Sequence, residues 1–225
     1  MSANRVLVVA AHPDDEILGM GGTIAKHAYE NRAEVAVLWI TEGSSTQYPG
    51  NEEIQRLKFE EAEAAARKLG VSHCWQRDLL DMRLDMTPHI EVNRVVEDAV
   101  RSFEPEVVYT VHPDVNMDHR TVFHSVMVAT RPYSGSSVRR VLSYATTSGI
   151  EWTPPFQQTF APNSFVDISG TLAQKVSAFE CYTTETRPWP HPRSSRAIQT
   201  TAEHWGTWIG RPAAEPFVLV REILD

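Results

Sequence analysis

The chain is poor in cysteine, with Cys74 and Cys181 only, far apart among 225 residues. Two thiols cannot build a disulfide scaffold, and a reducing, cytoplasmic setting is expected. No apolar run approaches the roughly 20 residues of a membrane span, so no membrane anchor is expected. The first residues, M-S-A-N-R, lead directly into an apolar segment, and no signal peptide is expected. Basic residues are outnumbered, 21 against 29 acids, for a net charge of −8. A nucleic-acid partner needs a basic face, so it is excluded at this level. Internal repeats and linker-like stretches are missing too, which leaves one domain over 1–225. The glycines at 19, 21 and 22 do not spell the dinucleotide fingerprint G-x-G-x-x-G. Their expected role is close packing of a helix start against a sheet.

What is present begins at Arg5. Residues 6–11 are apolar or small without a break and rich in valine, the pattern of a fully buried, central strand of a parallel sheet. His12, Asp14, Asp15 and Glu16 follow at once. In an open α/β sheet, sites lie just beyond the carboxyl ends of strands. Histidine nitrogen and carboxylate oxygen are ordinary zinc ligands, and a catalytic zinc keeps three protein ligands with room for water. Pro13 stiffens the turn. Adjacent aspartates point apart, so one suits a metal and the other suits a water beside it. The plainer alternative is a turn whose acids favour a helix N-terminus.

A second run, 106–111 (E-V-V-Y-T-V), reads as another strand, and it ends in H-P-D-V-N-M-D-H-R. Two strands that each end in an H-P-D turn full of ligand-type residues point to one shared metal site.

These motifs carry a resemblance. A-H-P-D-D-E at 11–16, G-M-G-G-T at 19–23 and H-P-D-V-N-M-D-H-R at 112–120 resemble the LmbE-like (PIG-L) de-N-acetylases. The resemblance covers nearly the whole chain and loosens after about Gly149. It implies a Rossmann-like α/β three-layer sandwich with a mostly parallel central sheet. It also implies zinc-dependent removal of acetyl from an N-acetylated amino sugar, a small-molecule partner. By match to the motifs, His12, Asp15 and His119 would hold the metal, with Zn2+ expected and Fe2+ or another divalent ion open. Asp14 would be the general base. Thiol-pathway members usually have H-P-D-H where this chain has Asn116-Met117-Asp118-His119. Asn116 therefore replaces the histidine thought to steady the oxyanion. Asp118 would orient a ligand histidine, while His112 and His191 are candidates for the missing positive charge. The family also has a substrate-reaching arginine near Arg56, whose plain alternative is a surface salt bridge.

The remainder alternates strands and helices. Helices are expected over 17–31, 51–69, 87–103 (with Thr87 as cap and Ile90, Val92, Val95, Val96 and Val100 inward), 119–130, 172–182 and 195–209. Strands are expected over 34–41, 71–77, 138–145 and 164–168 and at the chain's end. The stretch 146–163, with Trp152, Phe156 and Phe160, fits a lid or a contact in a homo-oligomer. The stiff loop R-P-W-P-H-P-R-S-S at 187–195 offers Trp189, His191 and Arg193. The region 146–225 is expected to supply substrate-side loops.

Two rival functions share the ligand set. Two histidines and a carboxylate also describe non-haem Fe(II) enzymes, whose triad usually sits on a β-barrel as H-x-D…H. A non-catalytic metal- or sugar-binding protein would keep the ligands without needing Asp14.

Overall fold

A computed structural model describes residues 4–154 and 160–224. Its strands are β1 (Arg5–Ala10), β2 (Glu34–Thr41), β3 (His73–Leu79), β4 (Val107–Val111), β5 (Arg140–Tyr144), β6 (Ser164–Asp167) and β7 (Ala214–Glu222). They form one sheet in the order β3-β2-β1-β4-β5-β7-β6. Strands β1 to β5 pair in parallel, and β7 runs antiparallel to both β5 and β6. The expected mostly parallel α/β architecture is what forms.

Position explains composition. β1 lies between β2 and β4, and Val6 to Ala10 are fully buried, as a strand covered on both faces must be. The chain steps from β1 outward to β2 and β3, then returns to the other side of β1 for β4 and β5. The helices are α1 (Asp15–Ala25), α2 (Glu52–Lys68), α3 (His89–Phe103), α4 (Met117–Ala129), α5 (Leu172–Phe179) and α6 (Ser195–Trp208). Right-handed crossovers put α1 and α2 on one face and α3 and α4 on the other. In keeping with this, α3 packs on α4, whereas α5 packs on α1 and α2. The direction reverses between β1 and β4, so the switch point lies where both H-P-D turns leave the sheet.

Local details differ from expectation in instructive ways. The first helix starts at Asp15, kinks at Met20 (φ −149°) and ends in a π turn at Lys26–Glu30. Pro88, not Thr87, occupies the capping position of α3, and Thr87 Oγ1 donates to the Arg83 carbonyl instead. Ile90 is 56% exposed, because at 100° per residue it falls opposite the stripe of Val92, Val96, Ala99 and Phe103. Asn51 caps α2 by accepting from the Ile54 N–H at 3.1 Å.

The glycines of α1 do pack closely. A Cβ on Gly19 would strike the Tyr144 ring, and one on Gly22 would meet Ile168 at 2.8 Å. Cys74 and Cys181 are free and half-buried, and burial pushes the Cys74 thiol up to about 11. No described helix is long and apolar enough to cross a membrane. In the stretch expected as a lid or subunit contact, Trp152 closes a short 3-10 turn and is 59% exposed. Phe160 packs its ring 5.0 Å from that of His112. Phe156 lies outside the described residues.

Candidate metal centre and active site

The turn after β1 and the start of α4 bring His12, Asp15 and His119 together, their ligand atoms all within 4.8 Å of one another. His12 Nδ1 lies 3.3 Å from Asp15 Oδ2, and His119 Nε2 lies 3.4 Å from Asp15 Oδ1. One nitrogen of each ring therefore faces the same carboxylate. The opposite nitrogens are held from behind. His119 Nδ1 pairs with Asp114 Oδ2 at 2.8 Å, and His12 Nε2 lies 3.2 Å from Asp118 Oδ2 and 3.4 Å from Asp81 Oδ1. Carboxylates in this place set the histidine tautomer and raise ligand basicity.

The supporting acids are themselves fixed by backbone. Asp118 accepts from the Met82 and Leu84 N–H groups at 2.8 and 2.9 Å. Asp114 accepts from the Asn116 N–H at 2.7 Å. Glu42 accepts from the Asp81 N–H at 3.0 Å, tying the loop after β3 to the end of β2. The sequence suggested Asp118 as the partner of a histidine, and Asp118 lies 3.2 Å from His12 Nε2; the sequence assigned nothing to Asp81 or Asp114. The H-P-D repeat was the available signal for Asp114; Asp81 had none, since it arrives from a separate loop.

Burial and charge work against each other in this cluster. Burial opposes a charged His12, but hydrogen bonds to Asp118 and Asp15 outweigh it and hold the pKa well above 6.5. For His119, Asp15 and Asp114 overcome burial and lift the pKa to about 9. Burial pushes Asp15 upward, yet His119 and His12 hold it well below the usual carboxylate range. The set thus offers one ionised carboxylate between two basic imidazoles. That donor chemistry fits a divalent ion of the zinc kind, which displaces ring protons on binding.

Asp14 takes no part in the triad. Its backbone has φ +124°, a conformation L side chains rarely adopt. This twist lets Asp14 and Asp15 point apart. Asp14 lines a cleft of about 310 Å³ whose walls include His12, Asp81, Asn116, Lys58, Glu185 and Arg193. Burial pushes the Asp14 carboxyl up to about 7, against the pull of Arg193, with Glu185 and Asp15 adding to the rise. A carboxyl titrating there is matched to taking and returning protons near neutrality.

The remaining expected residues divide. Asn116 lines the cleft, but its carbonyl caps α4 by accepting from the Asp118 N–H at 2.8 Å. Its amide group lies 3.4 Å from Met82 Sδ. His112 cannot supply the missing cation, because burial pushes its pKa down to about 4. Its Nδ1 pairs with Ser143 Oγ at 2.9 Å. Arg56 does not line the cleft; it is 72% exposed and sits 3.7 Å from Glu60. His191 is not a wall of the cleft either: its Nδ1 accepts from the Arg193 N–H at 3.0 Å. The residue of that loop which reaches the site is Arg193, whose Nη1 lies 3.0 Å from Asp14 Oδ2. The fixed cation of P-H-P-R was its only signal in the sequence.

Fold and site together define a Rossmann-like protein carrying a His-Asp-His cluster with a separate carboxylate beside it. Residues 7–130, more than half of the chain, match the family described as PIG-L, GlcNAc-PI de-N-acetylase, and the chain belongs to that family. It is 26% identical over 222 residues to a diacetylchitobiose deacetylase of Thermococcus kodakarensis, covering 94% of this chain and 81% of that protein. It is 26% identical over 203 residues to a 4-oxalmesaconate hydratase of Pseudomonas putida, covering 82% and 75%. Among solved structures, the conserved protein TT1542 of Thermus thermophilus superposes with a TM-score of 0.78 at 26% identity, covering 98% and 96%.

Proposed function

We propose that this chain is a metal-dependent hydrolase that removes the acetyl group from an N-acetylated amino sugar, with His12, Asp15 and His119 as metal ligands and Asp14 as general base. The observation that supports this most is the separation of duties between adjacent aspartates. Asp15 is taken up by two histidines, while Asp14 faces the cleft with a pKa near neutrality. A bound divalent ion would supply Lewis acidity to the amide carbonyl and acidify water.

The chain's own residues would do the rest. Asp14 takes the proton of the attacking water and returns it to the departing nitrogen. An amine leaves poorly unless protonated, so one group serves both steps. Asp114, Asp118 and Asp81 keep His12 and His119 in register. Asn116, which lines the cleft, would offer an amide N–H as a neutral donor for developing oxyanion charge. Arg193 holds Asp14 in place. The test is release of free amine from a panel of N-acetylglucosamine derivatives, with metal-reconstituted and chelator-treated protein. Turnover that survives chelation would overturn the metal dependence, and metal-bound protein that never releases amine favours a binding role.

A second reading has one observation behind it: the hydratase relative in Pseudomonas putida. Consumption of an unsaturated tricarboxylate, followed as loss of its ultraviolet absorbance, discriminates the two. The iron-triad alternative has no such support, since the ligands stand on turns of a parallel sheet and not on a barrel.

A further inference from the structure

Two cations line the cleft, and one acid engages both. Glu185 is buried and follows α5 in the chain. Its Oε1 lies 2.7 Å from Lys58 Nζ and its Oε2 lies 2.6 Å from Arg193 Nη1. Lys58 has three N–H protons and three acceptors: Glu185, the Gly43 carbonyl at 2.7 Å and Gln47 Oε1 at 3.3 Å. Arg193 stands between two carboxylates, Glu185 and Asp14, and its Nε–H donates to Ser148 Oγ at 3.0 Å.

We infer that Glu185 restricts this site to uncharged N-acetyl glycosides: by pairing with both cations of the cleft, it offsets the positive charge that a phosphate or carboxylate on the substrate would need. This rests on the deacetylase reading above and adds the charge class of the substrate. The surroundings reinforce it. The cleft wall carries three carboxylates, Asp14, Asp81 and Glu185, beside Lys58, Arg193 and His12. An anionic group entering here would meet carboxylates at close range, and like charges set together discriminate strongly. A site built for a sugar phosphate or a malate glycoside would instead present an arginine or lysine not already paired with a carboxylate.

The test uses two glycosides matched at C1, methyl 2-acetamido-2-deoxyglucoside and 2-acetamido-2-deoxyglucose 1-phosphate. At low salt, wild-type kcat/KM for the phosphate is expected to be at least about tenfold lower. Added sodium chloride should narrow that gap by screening. Glu185→Gln keeps the shape and removes the charge, so it should narrow the ratio by about tenfold or more. It should also bind inorganic phosphate in calorimetry at millimolar concentrations where wild type does not. Equal or better use of the phosphate by wild type would overturn the inference and leave the deacetylase reading standing. So would a gap insensitive to salt, a readout that needs no variant, or a ratio unchanged in folded Glu185→Gln. If neither glycoside releases amine, the deacetylase reading falls; the phosphate titration still decides the role of Glu185.

Discussion

Arg193 Nη1 lies 3.0 Å from Asp14 Oδ2, joining the C-terminal loop to the turn after β1 across 179 positions of sequence. The guanidinium lowers a carboxyl that burial raises. Its removal should therefore lift the Asp14 pKa further. Catalysis by a base needs the ionised form, so the acid limb of the pH–rate profile should move to higher pH in Arg193→Met. Arg193→Lys should restore part of the shift. A profile that stays in place would show that Arg193 does not act on Asp14.

The base assignment predicts a specific split. Asp14→Asn is expected to lose activity by on the order of 10²- to 10⁴-fold while metal content stays at the wild-type level. Loss of metal together with activity would mean that the two aspartates have exchanged roles.

Metal binding should depend on the carboxylates behind the ligands as well as on the ligands. His119→Ala should retain only a small fraction of wild-type metal by elemental analysis. Asp114→Asn leaves all three ligands but weakens the orientation of His119, and its metal affinity should fall on the order of 10- to 100-fold. Unchanged affinity in a competition titration with a chelator would remove Asp114 from the site.

Asn116 does two jobs that can be separated. Its carbonyl caps α4, its amide nitrogen lies 3.4 Å from Met82 Sδ, and the residue lines the cleft. Asn116→Ala should lose about 1 kcal/mol of stability with the cap and also lose kcat. Asn116→Asp keeps a cap acceptor but has no N–H to offer, so it should retain Tm and lose kcat. Full activity in Asn116→Asp would assign the oxyanion elsewhere.

His27 gives a stability test away from the site. Its Nε2 lies 3.0 Å from the Tyr109 hydroxyl, and burial lowers its pKa to about 4, with Arg140 and Lys26 contributing. The unfolded chain therefore binds a proton that the folded one refuses between about pH 6.5 and pH 4. Stability from this group is complete above that window and falls as pH drops through it. His27→Gln, which can still reach Tyr109, should lose less Tm between pH 7 and pH 4.5 than wild type does.

The sequence by itself pointed to a mostly parallel sheet and to a ligand cluster at the ends of two of its strands. Six apolar residues ending in H-P-D-D-E call for burial of the run and for partners that satisfy the acids at the strand end. A second such strand then brings His12, Asp15 and His119 to one place. Local periodicity carries that information because each strand and its turn are contiguous. Only the tertiary structure decided the rest. His112 looked like a cation until its burial against Phe160 made it neutral, and Arg56 looked like a substrate contact until α2 turned it to solvent. Asp81 reaches the cleft from the loop after β3, and Glu185 and Arg193 reach it from the connection between α5 and α6. Their roles depend on distances between segments far apart in the chain, and charges such as Lys58 and Arg193 count only after their partners are known. That pairing is a property of packing, which no local pattern encodes.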